Sequence, residues 1–202
     1  MVLQPSEYNM SYFDGKKSSL SHNAGYTCYK RWDRYCGDIL PVGESTGEFF
    51  RDIAKKFYIE HALQGKKVLE LGCAYGFMIE DLRNMGVDAW GLDVSQYAYD
   101  QASDAIKPYI TVADARTYLN NYANNQWDAI ISRWFIYCFE DSELPALITE
   151  MNRVARFQAH IIPVGGPTAY YNIKQPQVWI DSFNWKRGTV ITTDNLKVIY
   201  RK

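Results

Sequence analysis

A doubly wound α/β fold with a mostly parallel sheet follows from three features of this sequence. Short apolar runs alternate with stretches of helical period between residues 66 and 164. A glycine-bearing turn joins the first run to the first of these helices, and acidic residues close the next two runs. Strands that alternate with helices need right-handed crossovers, which cover both faces of a parallel sheet.

The elements are expected in this order. Phe49, Phe50, Ile53, Ala54, Phe57 and Tyr58 recur at helical steps, and Ser45 or Thr46 can cap that helix. Gly65 breaks it. Residues 68–71 read as a buried strand, about 75–85 as a helix, and 89–94 as a second strand, with Ser95 capping a helix to about 106. Residues 109–113 and 127–132 read as the third and fourth strands. A helix over 141–155 carries Leu144, Leu147, Ile148, Met151 and Val154 on one face, and 157–164 reads as the fifth strand. Beyond Gly165-Gly166-Pro167 the pattern changes to short strands at 189–193 and 196–200 around a hairpin turn at Asp194-Asn195. That C-terminal part is short for a seven-stranded sheet. Residues 1–44 form an irregular aromatic leader ahead of a domain spanning 45–202.

Composition narrows the function classes. The chain has 202 residues, 47% of them hydrophobic, enough for one domain with a sizeable core. A net charge of -1 gives no global attraction to nucleic acid or anionic membranes. The charge is uneven: residues 151–202 hold eight Lys or Arg against Asp181 and Asp194. Cys28, Cys36, Cys73 and Cys138 have no metal-ligand spacing, so no metal is expected and free thiols are. The N-terminus lacks a basic-then-apolar signal pattern and no apolar run is long enough to span a membrane, which places the protein in the cytoplasm.

Chemistry concentrates in ELGCAYG at 70–76. Gly72 permits an unusual backbone angle and close ligand approach, Ala74 is small, and Gly76 keeps the helix start uncluttered. Such a turn aims backbone N–H groups at a ligand beyond the sheet's carboxyl edge. It is neither the dinucleotide fingerprint, since Ala74 replaces the second glycine, nor a P-loop, since no GK[ST] follows. Asp93 ends the second strand, where a carboxylate accepts ribose hydroxyls. Asp114 follows the third strand and can accept from an adenine amino group, with the Ala115 N–H facing a ring nitrogen. Each aspartate alone is equally explained as a helix cap.

The ordered set KKVLELGCAYG, AWGLDVS, VADAR, WDAIISRWFIYCFED and LITEMNRVAR, over about 45–165, resembles the class I S-adenosylmethionine-dependent methyltransferases, which have a Rossmann-like fold. The resemblance implies that Glu70, Gly72, Cys73, Ala74 and Gly76 hold the methionine end of S-adenosylmethionine and its product S-adenosylhomocysteine. It gives Asp93 the ribose, Val94 a packing face of adenine, and Asp114 with Ala115 the adenine edge. Ser132, Arg133, Trp134 and Phe135 then stand beside the transferable methyl.

The sequence departs from two subfamilies. It has no [DN]PP[YF] tetrapeptide, and Cys138 follows Tyr137 rather than a proline, so two nucleic-acid classes are disfavoured. RVARFQAH also replaces the glycine-rich turn common before the fifth strand.

The expected activity is direct in-line methyl transfer to a small-molecule or sugar-like acceptor. The alternatives are an RNA or protein methyltransferase, or a domain that binds the cofactor without turnover. His22, Arg133 and Tyr137 are the candidate catalytic groups. HNAGYTCYKRW at 22–32 holds Tyr26, a further candidate cofactor contact. The leader reads equally as a lid over the cofactor or as a strap packed on the sheet's flank.

Overall fold

The computed structural model describes residues 5–10, 13, 63–163, 176–184, 188–193 and 196–201. The helix expected over 49–58 and the leader motif at 22–32, with His22 and Tyr26, lie outside the described residues.

Strand β1 (Lys67–Leu71) buries Val68–Leu71 on both faces, three of them apolar and the fourth Glu70. Helix α1 (Phe77–Asn84) follows from Gly76 and buries Met78, Ile79 and Leu82 against the sheet. It ends at Gly86, whose φ of 83 lets Val87 N–H return to the Leu82 carbonyl at 3.0 Å.

Strand β2 (Asp88–Asp93) leads to α2 (Gln96–Gln101), capped as expected by Ser95, whose Oγ accepts from Ala98 N. This helix stops earlier than the expected 106. Ala102 turns extended, the Ser103 carbonyl takes the N–H groups of Ile106 and Lys107, and Pro108 disfavours further helix. Tyr109, expected in the third strand, closes a 3-10 turn instead, and β3 (Ile110–Val112) is only three residues long.

After the short helix α3 (Ala115–Tyr118) come β4 (Trp127–Arg133) and α4 (Leu144–Val154). The five apolar residues expected on one face of α4 are all buried. Residues 141–143 form a turn rather than helix, and Pro145 sits in the first helical turn, where its missing N–H costs nothing. Helix α4 passes straight into β5 (Ala155–Pro163) as Ala155 adopts extended angles, so no glycine turn is needed. Helix α5 (Pro176–Ser182) is absent from the sequence reading. Its seven residues are too few for a periodic signal, yet Trp179, Ile180 and neighbouring Phe183 are buried. Strands β6 (Gly188–Thr193) and β7 (Leu196–Arg201) pair antiparallel.

The described strands form one seven-stranded sheet in the order β3-β2-β1-β4-β5-β7-β6. Strands β1 to β5 are mutually parallel, and β7 lies antiparallel between β5 and β6. The C-terminal part, though short in residues, thus completes the sheet by inserting one arm of a tight hairpin. One face is covered by α1, with Met78, Ile79 and Leu82 meeting Val68, Ile131 and Ile161. The other is covered by α4 and α5, with Met151 and Trp179 meeting Leu69, Ile130 and Ile162. Strand order reverses between β1 and β4, and ligands of such sheets bind at the carboxyl ends flanking that switch.

Candidate active site

The turn after β1 is built by alternating backbone hands. Gly72, Ala74 and Gly76 have φ of 72, 48 and 76, while Cys73 and Tyr75 between them do not share the positive sign. Alternation of this kind converges N–H groups into an anion-holding concavity. The anion is internal. Asp93 Oδ2 accepts from Ala74 N at 2.7 Å and Oδ1 from Ser95 N at 2.9 Å. Asp93 is only 9% exposed, and burial raises its pKa although the N–H groups of Ser95, Ala74 and Val94 pull it down. The carboxylate therefore faces the turn.

Gly72 is glycine for two reasons. Its φ is left-handed, and a Cβ would lie 2.9 Å from Cδ2 of Phe135, which folds back over the turn from beyond β4. A Cβ at Gly76 would meet Ile106 at 2.7 Å and Ile110 at 2.9 Å.

Glu70, one residue before the end of β1, is 4% exposed, and its Oε2 has no hydrogen-bond partner among the described residues. Burial holds its pKa well above the ordinary carboxylate range, with Arg133 opposing and Asp93 reinforcing that rise. An orphaned buried carboxyl oxygen beside a concave backbone turn suits a cationic ammonium.

Residues 68–157 match the family model described as a methyltransferase domain. No curated protein matches the chain in sequence. The fold is similar to that of a magnesium protoporphyrin IX methyltransferase from Synechocystis PCC 6803 with bound S-adenosylmethionine. That pair shares 14% identity and a TM-score of 0.64, over 99% of this chain and 98% of that one. A SAM-dependent methyltransferase from Archaeoglobus fulgidus gives 12% identity and a TM-score of 0.63 over 76% and 92% of the two chains. One from Aquifex aeolicus gives 17% and 0.59 over 73% and 87%.

Residues 68–157 are a methyltransferase domain by that match, and the fold around them is shared with S-adenosylmethionine-dependent methyltransferases. The methyltransferase's own residues fit that cofactor. Glu70 offers the unmatched oxygen for the ammonium of its methionine end, and Asp93 has lone pairs beyond its two backbone bonds for ribose hydroxyls.

The other sequence-predicted residues sit as follows. Val94 is half-buried after β2. Asp114 caps α3 by accepting from Arg116 N at 2.9 Å, and its two oxygens also receive the Arg116 guanidinium, which reaches on to Glu143. The cap reading of Asp114 therefore holds, and any adenine contact must use its remaining lone pairs. Ala115 is the first residue of α3, where backbone N–H groups lack intrahelical partners. Cys73 points into the core, where its Sγ would lie 2.5 Å from a Cβ at Gly91, so the turn presents only its backbone.

At the β4 end, Arg133 is buried beside Glu70, its Cζ 4.1 Å from the Trp134 ring centroid. Tyr137 is buried with Ile136 in a 3-10 turn. Trp134 has φ of 53, and its indole Nε1 is buried with no partner among the described residues. Left-handed backbone at a bulky residue is a strain commonly stored at functional rims.

Three contributors escaped the sequence reading. Phe135 was placed near the methyl but not over Gly72. Tyr8 and Phe13 belong to the N-terminal segment. Ser95 Oγ–H donates to the Tyr8 carbonyl, and the Tyr8 hydroxyl bonds the Cys138 thiol. Phe13 is buried with Ala74, Tyr75 and Ala98, 5.5 Å from the Tyr75 ring. The aromatic spacing in SEYNMSYF was the available signal, and it was read as part of an undivided leader. Cys138 donates to the Trp134 carbonyl, and burial pushes its thiol up to about 12. Among the described residues no helix is long and apolar enough to cross a membrane.

Proposed function

We propose that this methyltransferase acts in the cytoplasm on a small-molecule or sugar-like acceptor by direct in-line transfer. The observation that carries the assignment of roles is the Asp93 carboxylate turned into the 72–76 turn, with the unpaired Glu70 oxygen beside it. In this reading Glu70 pairs the ammonium of the methionine end, and the turn's backbone lines that end. Asp93 holds the ribose, Val94 packs on adenine, and Ala115 with Asp114 meets its edge. Arg133 and Tyr137 orient the acceptor, and His22 and Tyr26 approach from the leader.

The bound cofactor supplies a sulfonium methyl that is already electrophilic. The protein's task is then orientation and exclusion of water. Tyr8 and Phe13 pack across from α2 to the segment after β4 beside the 72–76 turn, and in this reading the leader closes over the cofactor as a lid. Limited proteolysis checks it: cleavage within residues 5–35 should slow with S-adenosylhomocysteine, and an unchanged rate contradicts a lid. Incubation with methyl-labelled S-adenosylmethionine and fractionated cell extract tests the function. Label in a small-molecule fraction is expected. Label confined to RNA or protein overturns the acceptor class.

A further inference from the structure

A chain of buried polar groups runs beneath the β4 rim, and beyond Ser132 none of its members has a part in the assignments above. Strand pairing sets Ser132 opposite His160, with Oγ 2.7 Å from Nδ1. His160 Nε2 lies 3.2 Å from Gln158 Oε1, Gln158 Nε2 donates to Asn152 Oδ1 at 2.9 Å, and Asn152 Nδ2 donates to the Phe183 carbonyl at 3.3 Å. Ser132 is 1% exposed, and Gln158 and His160 are 0% exposed.

The direction of every proton follows from the far end. The Phe183 carbonyl only accepts, so Asn152 turns its NH2 there and its oxygen to Gln158. Gln158 then turns its oxygen to His160, and Nε2 must carry the ring proton. Nδ1 is left with a lone pair, and the Ser132 hydroxyl donates to it. The ring is neutral: burial lowers its pKa to about 3, and Phe183 stacks on it at 5.0 Å. A one-way chain polarises each successive bond.

We propose that His160 is a positioning residue that makes Ser132 a one-way hydrogen-bond acceptor, selecting a methyl acceptor that is a hydroxyl or an amine bearing its own proton. This rests on the methyl-transfer reading. Ser132 stands opposite Leu71, the residue before the Gly72 turn, and two residues before the strained Trp134. With the nucleoside end over the tips of β2 and β3, the methyl end lies toward β4. The single Ser132 proton is spent on His160, so its oxygen offers only lone pairs. A hydroxyl or N–H is held by them, whereas a carboxylate or thiolate is repelled. The acceptor oxygen or nitrogen takes the methyl, its proton leaves to water, and the broken C–S bonding pair stays on sulfur.

Wild type, Ser132→Ala, His160→Asn and His160→Leu would be compared by calorimetry with S-adenosylhomocysteine and by labelling of cell extract with methyl-labelled S-adenosylmethionine. The label should resist mild alkali, as ethers and methylamines do and methyl esters do not. Ser132→Ala and His160→Leu should cut the labelling rate about tenfold, the scale of one lost hydrogen bond to a reacting group, with S-adenosylhomocysteine affinity held within about threefold. His160→Asn should restore most of the rate, because its amide oxygen lies near the Nδ1 position. Ser132→Ala keeps the test informative if His160→Leu fails to fold. Alkali-labile label, unchanged labelling in Ser132→Ala, or loss of S-adenosylhomocysteine affinity in step with rate each overturns the proposal. Absence of S-adenosylhomocysteine binding by wild type would instead refute the methyl-transfer reading.

Discussion

The two halves of the rim are built on opposite plans. On the β1–β2 side, backbone does the holding. The φ signs alternate at 72–76, the Ala74 N–H meets Asp93, and Glu70 keeps an oxygen unmatched. On the β4–β5 side, side chains are bonded to one another in a run from Ser132 to Asn152. In the proposed reading the first half meets the cofactor. The second is arranged around one hydroxyl, which suits discrimination among acceptors. Ligand-linked effects should therefore concentrate at the turn, and acceptor-linked effects beneath β4.

The largest break comes from Gly72→Val. The substitution forces a β-branched residue into the left-handed region, at about 1–2 kcal/mol, and drives it into Phe135, at about 1–3 kcal/mol for overpacking. A combined loss of about 3 kcal/mol in urea unfolding is expected, with no stabilisation by S-adenosylhomocysteine in a thermal shift. Phe135→Ala in the same background should recover the steric part and leave the backbone part. Full recovery would mean that the left-handed angle is not required.

Asp93→Ala comes next. It strands the Ala74 and Ser95 N–H groups and removes the ribose acceptor, so S-adenosylhomocysteine affinity should fall by about 1–3 kcal/mol. Wild-type affinity in a folded variant would end the ribose assignment.

Glu70 sharpens the contrast through protons. Its folded pKa lies well above the ordinary carboxylate value, so between those limits the folded chain binds more protons than the unfolded one. Its contribution to stability is therefore present at acid pH and lost as pH rises through the folded pKa. An ammonium partner lowers that pKa, and binding should release a proton. Calorimetry of S-adenosylhomocysteine in buffers of different ionisation enthalpy should register the release in wild type and lose it in Glu70→Gln. Equal buffer dependence in both proteins would remove Glu70 from the methionine end.

The same contrast explains what the sequence could disclose. The α/β alternation, Ser95 as a cap and the glycine turn with Asp93 were legible because each depends on residues close in the chain or on strand periodicity. Helix α5 was not, being shorter than two helical repeats of its apolar face. The Ser132–His160 bond was not legible, because it needs the β4–β5 register, which no local pattern encodes. Asp114 showed a local signal with two meanings, and Arg116 supplies the one that the structure displays. Tyr8 and Phe13 meet the rim through contacts about 60 to 130 residues away along the chain, beyond the reach of periodicity.

The smallest expected effect is the most diagnostic of how the turn is held. Ala74 adopts φ of 48, a conformation that costs an L-residue about 1–2 kcal/mol and glycine almost nothing. Ala74→Gly relieves that strain. Against it stand the lost burial of one methyl beside Phe13 and Tyr75, about 0.8 kcal/mol, and the greater freedom of glycine in the unfolded chain. The net should be a gain of about 0.5 kcal/mol or less in urea unfolding, with faster proteolysis of the segment around Phe13, because the methyl is part of the strap's seat. A clear destabilisation would show that strap packing outweighs backbone strain at this position. The turn would then be held in its ligand-ready shape by the N-terminal segment rather than by the Ala74 N–H bond to Asp93.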